Sequence, residues 1–226
     1  MIDWASAGAH VEERAALLLA VRQAGVRDLS VMRAIEAVPR EAFAPYRLRD
    51  LANRNMALPI GCGQIMSRPA DLARRLEALA IGGGHRVLEV GSGSGYGAAV
   101  IAALAREVVT LERFETLAIE AARKLAALEV ENALALFADG LAPPHDLGVF
   151  DRIIVQAAVT ETPGALRDVL APGGVMLFGR RAPAEGKRAP RERLIKLVCM
   201  KRGEYREIDL GPHRMGAAAQ GQALAL

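Results

Sequence analysis

The chain has 226 residues, 52% of them hydrophobic, 24% charged and 4% aromatic, with a formal net charge of +3. That length fits one generous domain, or a domain with an appended subdomain, and the apolar content excludes disorder over most of it. With few aromatics for base stacking, and 29 Lys+Arg nearly balanced by 26 Asp+Glu, no nucleic-acid partner is expected despite a sequence pI near 9.1.

The chain opens without a basic segment leading into an apolar one, and Ala15–Val21, the greasiest early run, is too short to span a bilayer. Cys62 and Cys199 show neither C-x-x-C nor metal-ligand spacing. A cytoplasmic protein without a membrane partner or a metal is expected. Apolar residues at helical spacing predict a helix from Val11 to about Ala24, closed by Gly25. A second helix is predicted over Ser30–Val38, with Asp28 or Ser30 as its cap and Pro39 as its stop. Residues 40–59 are mixed, Gly61 to Pro69 is a loop rich in breakers, and a helix follows over Asp71–Leu79. Residues 1–80 are therefore read as a helical N-terminal extension carrying this loop.

From Arg86 the pattern changes to strand–helix alternation. Strands are predicted at Arg86–Val90, Val108–Leu111, Ala133–Phe137, Arg152–Gln156 and Val175–Phe178. Helices are predicted at Tyr96–Arg106, Phe114–Leu128 and Gly164–Leu170. Such alternation predicts an α/β fold with a doubly wound, mainly parallel sheet over residues 81–226. Leu194–Met200 and Tyr205–Leu210 read as a closing antiparallel pair. Between sheet and pair, Arg180 to Arg193 is basic and reads as a solvated loop, or else as a contact for an acidic partner.

The chemistry concentrates at strand ends. Val87-Leu88-Glu89-Val90-Gly91-Ser92-Gly93-Ser94-Gly95-Tyr96 runs an apolar strand through a glycine turn directly into a helix. Glycines allow positive φ and a close ligand approach, and the helix start offers free N–H groups. The dinucleotide spacing fails, because Tyr96 stands where a third glycine is required, and there is no Walker lysine. Glu89 stands two residues before the G-x-G-x-G run, where a carboxylate suits a cationic amino-acid group better than a pyrophosphate. Glu112 ends the second strand, where it can accept both ribose hydroxyls, and Asp139-Gly140 follows the third, within reach of an adenine amino group. Any one of these alone is an ordinary turn or helix cap. Together, in this order, they predict a phosphate-free nucleoside with a cationic tail, which describes S-adenosylmethionine.

With these residues in place, the sequence from about Arg14 to Leu210 resembles the protein-L-isoaspartate (D-aspartate) O-methyltransferases. Val38-Pro39-Arg40-Glu41-Ala42-Phe43 looks like that family's V-P-R-E-x-F. Leu58-Pro59-Ile60-Gly61, Gly63-Gln64, Ser67 and Pro69 resemble its L-P-I-G-x-G-Q-T-I-S-x-P. Gly91, Ser92, Gly93 and Gly95, Glu112-Arg113 and Asp139-Gly140 match its cofactor motifs. The resemblance implies S-adenosylmethionine as methyl donor and isoaspartyl residues of damaged proteins as acceptors. Ser67 would hydrogen-bond the acceptor carboxylate, and the methyl ester would close to a succinimide that hydrolyses partly to normal aspartate. A cap for the helix after Pro69 is the plainer reading of Ser67. Departures fall on the acceptor side: Ile65 for Thr, Met66 for Ile, Gln156-Ala157-Ala158 for T-A-A, and Gly216-Ala217-Ala218 for V-P-L. The alternatives are a methyltransferase of another carboxylate or small molecule, and a silent S-adenosylmethionine-binding protein. Oligomeric state is not legible.

Overall fold

The computed structural model describes residues 4–182, 191–200 and 204–223. Its centre is a seven-stranded sheet in the order β5-β4-β3-β6-β7-β8-β9. The strands are β3 (Arg86–Val90), β4 (Glu107–Glu112), β5 (Ala133–Phe137), β6 (Phe150–Val159), β7 (Leu170–Arg181), β8 (Glu192–Cys199) and β9 (Tyr205–Pro212). The first five pair in parallel, whereas β8 and β9 are antiparallel. This is the doubly wound, mainly parallel sheet expected. Strands buried on both faces read as continuous apolar runs, as in Val87-Leu88 or Ile153-Ile154-Val155, which are wholly covered.

Period-two alternation splits that apolar content between two cores. Val87, Ile154 and Leu177 join one cluster, whereas Leu88, Ile153 and Phe178 join the other. The first cluster also contains Leu17 and Val21 of helix α1 (Trp4–Gln23), Val31 and Ile35 of α2 (Leu29–Ala37), and Leu76 and Leu79 of α4 (Pro69–Leu79). The N-terminal helices therefore cover one face of the sheet instead of closing around a core of their own. Between them lie the short α3 (Arg40–Phe43), a 3₁₀ turn at Tyr46–Leu51, and a two-stranded hairpin of β1 (Leu58–Pro59) and β2 (Ile65–Met66).

Several boundaries have local causes. Asp28 caps α2, accepting from the N–H groups of Ser30 (2.8 Å) and Val31 (3.3 Å), which decides between the two cap candidates. Helix α5 (Tyr96–Ala102) stops short of the predicted Arg106, because the Arg106 N–H leaves the helix to donate to the His85 carbonyl at 3.0 Å. That bond steers the chain into β4. Helices α6 (Glu115–Ala127) and α7 (Gly164–Asp168) fill the β4–β5 and β6–β7 crossovers, and a 3₁₀ turn at His145–Leu147 lies between β5 and β6. The basic stretch from Arg180 to Arg193 is not all loop. Arg180 pairs with Arg193 and Arg181 with Glu192 in the β7–β8 ladder, while residues 183–190 lie outside the described residues. Antiparallel pairing carries both strands past the limits that apolar content alone indicates.

Candidate active site

The strand order reverses at β3, whose neighbours β4 and β6 leave in opposite directions, and ligands of open α/β sheets bind at this crevice. Gly91 (φ 95°), Gly93 (φ 51°) and Gly95 (φ 89°) carry the chain from β3 to α5 through conformations that side chains disfavour. A Cβ on Gly95 would lie 3.2 Å from the Ala121 backbone, so the turn can seat against α6 only without one.

The predicted acidic residues surround this turn in three different environments. Glu112 is buried, with Oε2 accepting from the Gly93 N–H (2.8 Å) and Oε1 from the Phe114 N–H (3.1 Å). It therefore braces the glycine turn from the adjacent strand. Glu89 lies deeper, accepting from Thr110 Oγ1 and Gln156 Nε2, each at 2.7 Å. Burial pushes its carboxyl up to about 7, against the pull of the two hydrogen bonds and the distant Arg75 charge. Ser92 extends the network, its hydroxyl 2.6 Å from Thr110 Oγ1. Because Thr110 spends its single O–H on Glu89, Ser92 is the donor there. Asp139 accepts from the N–H groups of Leu141 (2.9 Å) and Gly221 (2.7 Å), and Arg113 Nε donates to the Gly221 carbonyl at 3.0 Å. These two residues thus anchor the C-terminal segment. Gly140 packs so tightly that a Cβ there would lie 2.4 Å from Val90 Cγ1.

Ser67 enters from the opposite wall. Cys62 (φ 55°) and Gly63 (φ 63°) turn the β1–β2 hairpin, and Ile60 presses Cδ1 to 3.2 Å from a Cβ position on Gly93. The hairpin and the glycine turn therefore touch. Arg40, 1% exposed, donates to the carbonyls of Ala52 (2.7 Å), Met56 (2.9 Å) and Ser67 (3.0 Å), stapling the loop's backbone. The Ser67 hydroxyl accepts from Arg75 Nη2 at 2.9 Å. It does not cap α4: Arg68 occupies the cap position and makes no side-chain cap bond, so the plainer reading of Ser67 fails. One cavity joins Ser67 and Arg75 to Glu89, Gly91, Glu112 and Asp139. Among the described residues no group of His, Cys, Asp and Glu could hold a metal ion, and no helix is long and apolar enough to cross a membrane.

The sequence profile of the protein-L-isoaspartate(D-aspartate) O-methyltransferases matches residues 12–187. A protein-L-isoaspartate O-methyltransferase of Rhodopseudomonas palustris (strain BisB5) is 47% identical over 175 residues, 77% of this chain and 80% of the relative. The chain belongs to this family. The enzyme of the same name from Parvibaculum lavamentivorans is 39% identical over 94% of both chains. A solved protein-L-isoaspartate O-methyltransferase superposes with a TM-score of 0.78 at 25% identity, covering 92% of this chain and 67% of the other. A Plasmodium falciparum β-aspartate methyltransferase, solved with S-adenosyl-L-homocysteine, shares the fold at a TM-score of 0.75 and 23% identity, covering 89% and 96%.

Within this isoaspartyl methyltransferase fold, Ile65, Met66, Gln156, Ala217 and Ala218, from the segments that depart from the family pattern, also line the cavity. Gln156 turns Nε2 to Glu89 and leaves Oε1 buried without a partner among the described residues. The segment after Pro212 still reaches the site: Ala158 exchanges backbone bonds of 2.7 Å with Gly216 and Ala218, seating Ala217 and Ala218 at the cavity wall. Ile65, 62% exposed, stands at its rim. Arg75 and His213 escaped the sequence reading. The signal for Arg75 lay in α4, where it shares the buried stripe of Leu72, Leu76 and Leu79. A cation on an apolar stripe needs acceptors, and Ser67 and His213 supply them. His213 carried no comparable signal, since its burial depends on a contact across most of the chain.

Proposed function

We propose that this protein transfers the methyl group of S-adenosylmethionine to the side carboxylate of L-isoaspartyl residues in damaged proteins, with Ser67 orienting the acceptor and the Gly91–Gly95 turn, Glu112 and Asp139 holding the donor. The observation that carries the reading is the single cavity in which the Ser67 hairpin and the glycine turn meet. The residues present suit the donor on their own chemistry. A turn with glycine at 91, 93 and 95 admits a close ligand, and carboxylates at three strand ends, rather than an anion cradle, suit a nucleoside with a cationic tail. When bound, S-adenosylmethionine supplies an electrophilic methyl carbon that a carboxylate oxygen attacks directly, so no general base is required of the protein.

The chain's task is alignment and the exclusion of water. Glu112 would accept the ribose hydroxyls with the lone pairs left over from Gly93 and Phe114, and Asp139 would accept the adenine amino group. Glu89, already tied to Thr110 and Gln156, would act from behind the glycine turn on the cationic tail. Ser67 would donate its hydroxyl hydrogen to the acceptor carboxylate, since Arg75 already occupies a lone pair of Oγ. The test is radiolabelled methyl transfer to paired aspartyl and isoaspartyl peptides. Label on the isoaspartyl peptide alone is expected. Label on neither, from protein that binds S-adenosylhomocysteine, would leave the donor half standing and overturn the acceptor.

A further inference from the structure

Arg75 is 2% exposed, yet among the described residues no carboxylate lies within ion-pairing distance of it. Its Nη2 donates to Ser67 Oγ (2.9 Å) and its Nη1 to His213 Nε2 (3.3 Å), while Nε is buried with no partner among the described residues. Arginine carries only donors, so both partners serve as acceptors and bring no negative charge. The nearest acids act from a distance and are committed elsewhere: Asp71 to Arg68 at 2.7 and 3.0 Å, and Glu89 to Thr110 and Gln156. A buried cation without a counter-ion is costly, and such charges are normally paired. This one lines the cavity beside the hydroxyl assigned to the acceptor.

We propose that Arg75 is the residue through which the site recognises its acceptor as an anion, the incoming carboxylate completing an ion pair that the folded protein leaves open. The proposal rests on the acceptor assigned under Proposed function and adds the source of its charge selectivity. Two consequences follow from the chemistry. By occupying a lone pair of Ser67 Oγ, Arg75 leaves the O–H free to point at the same carboxylate. Methylation then converts the anion to a neutral ester, so the attraction is strongest before reaction and absent after it. While the attacking carboxylate keeps most of its charge in the transition state, the attraction is common to bound substrate and transition state, so it appears in KM and leaves kcat largely alone. His213 holds the other arm of the guanidinium, and burial together with the Arg75 charge keeps its imidazole neutral and able to accept.

The test compares an isoaspartyl peptide with the same peptide bearing a side-chain carboxamide, as ligands of wild type, Arg75→Gln and Arg75→Lys saturated with S-adenosylhomocysteine. Wild type is expected to prefer the carboxylate by tenfold or more. Arg75→Gln keeps a donor near Ser67 but no charge, and its preference should fall to threefold or less, with KM raised at least tenfold and kcat within threefold. Arg75→Lys should keep most of the preference. S-adenosylhomocysteine affinity within twofold of wild type in both variants reports an intact fold. An undiminished preference in Arg75→Gln, or its loss in Arg75→Lys, would overturn the proposal; either variant suffices if the other does not fold. A wild type that methylates isoaspartyl peptide while this preference is absent overturns the Arg75 role alone. A wild type that neither binds nor methylates the peptide overturns the acceptor and the Arg75 role together.

Discussion

Ser67 is held at both of its polar ends, the carbonyl by Arg40 and the hydroxyl by Arg75. A side chain fixed in this way loses little entropy on meeting its ligand, which is what alignment for a displacement requires. Ser67→Ala removes the hydroxyl proposed to orient the acceptor and leaves the α4 cap position untouched. The expected outcome is near-normal S-adenosylmethionine binding with kcat/KM for isoaspartyl peptide lowered by roughly tenfold to a thousandfold, read by steady-state kinetics. Normal turnover would remove Ser67 from the mechanism. The donor contact proposed for Glu112 would be its second duty, because its oxygens already accept two backbone N–H groups. Glu112→Ala should weaken the donor by about tenfold or more, charge-assisted bonds being worth roughly 1.5–3 kcal/mol each. It should also lower stability, since two N–H groups lose their acceptor. Calorimetric titration beside a melting curve separates the two, and unchanged affinity would take Glu112 out of the donor site.

At the scale of elements, the hairpin between Leu58 and Met66 is seated by the buried side chains of those two residues, and Arg40 ties down the backbone on either side of it. Its two strands pair at only Leu58–Met66 and Pro59–Ile65, which alone is marginal in water. The Arg40 fork gathers carbonyls from Ala52 to Ser67, so one side chain sets the shape of the whole loop. Arg40→Met should cost about 3 kcal/mol or more through buried carbonyls left without donors, and should depress acceptor turnover beyond donor affinity. Arg40→Lys, compact and unable to fork, should rescue little; denaturant melts and kinetics on both variants check this. Elements of this kind mark the limit of what was legible. The parallel strands declared themselves as short apolar runs, and the glycine turn by composition. The Arg40 staple and the Arg75–Ser67 contact did not, because long-range partners of a polar side chain leave no period in the sequence. Only the buried stripe of α4 betrayed that Arg75 had to point inward.

Across the whole molecule, two buried titratable groups, Glu89 in the cavity wall and His213 behind Arg75, pull the pH dependence of stability in opposite directions. Glu89 is raised from its ordinary 4.5 to about 7, chiefly by burial. Its contribution is present below pH 4.5 and is lost as pH rises through 7, because the unfolded chain releases a proton that the fold retains. His213 is lowered from 6.5 to about 4, by burial and then by the Arg75 charge. The unfolded chain binds a proton there that the fold refuses, so stability rises as pH climbs from about 4 to 6.5. Each slope approaches about 1.4 kcal/mol per pH unit where the two windows overlap, and they nearly cancel. Glu207, held down to about 2 by Arg180, titrates below this window, and His85, lowered by burial, contributes equally to every protein compared. With the Glu89 and His213 slopes offsetting each other, the wild-type urea-unfolding free energy between pH 4.5 and 6.5 should rise only by the contribution of His85. Glu89→Gln should uncover a rise with pH, and His213→Asn a fall. If both variants keep the wild-type slope, Glu89 and His213 titrate alike in the folded and unfolded chain, and the buried charges of this site are better solvated than their surroundings imply.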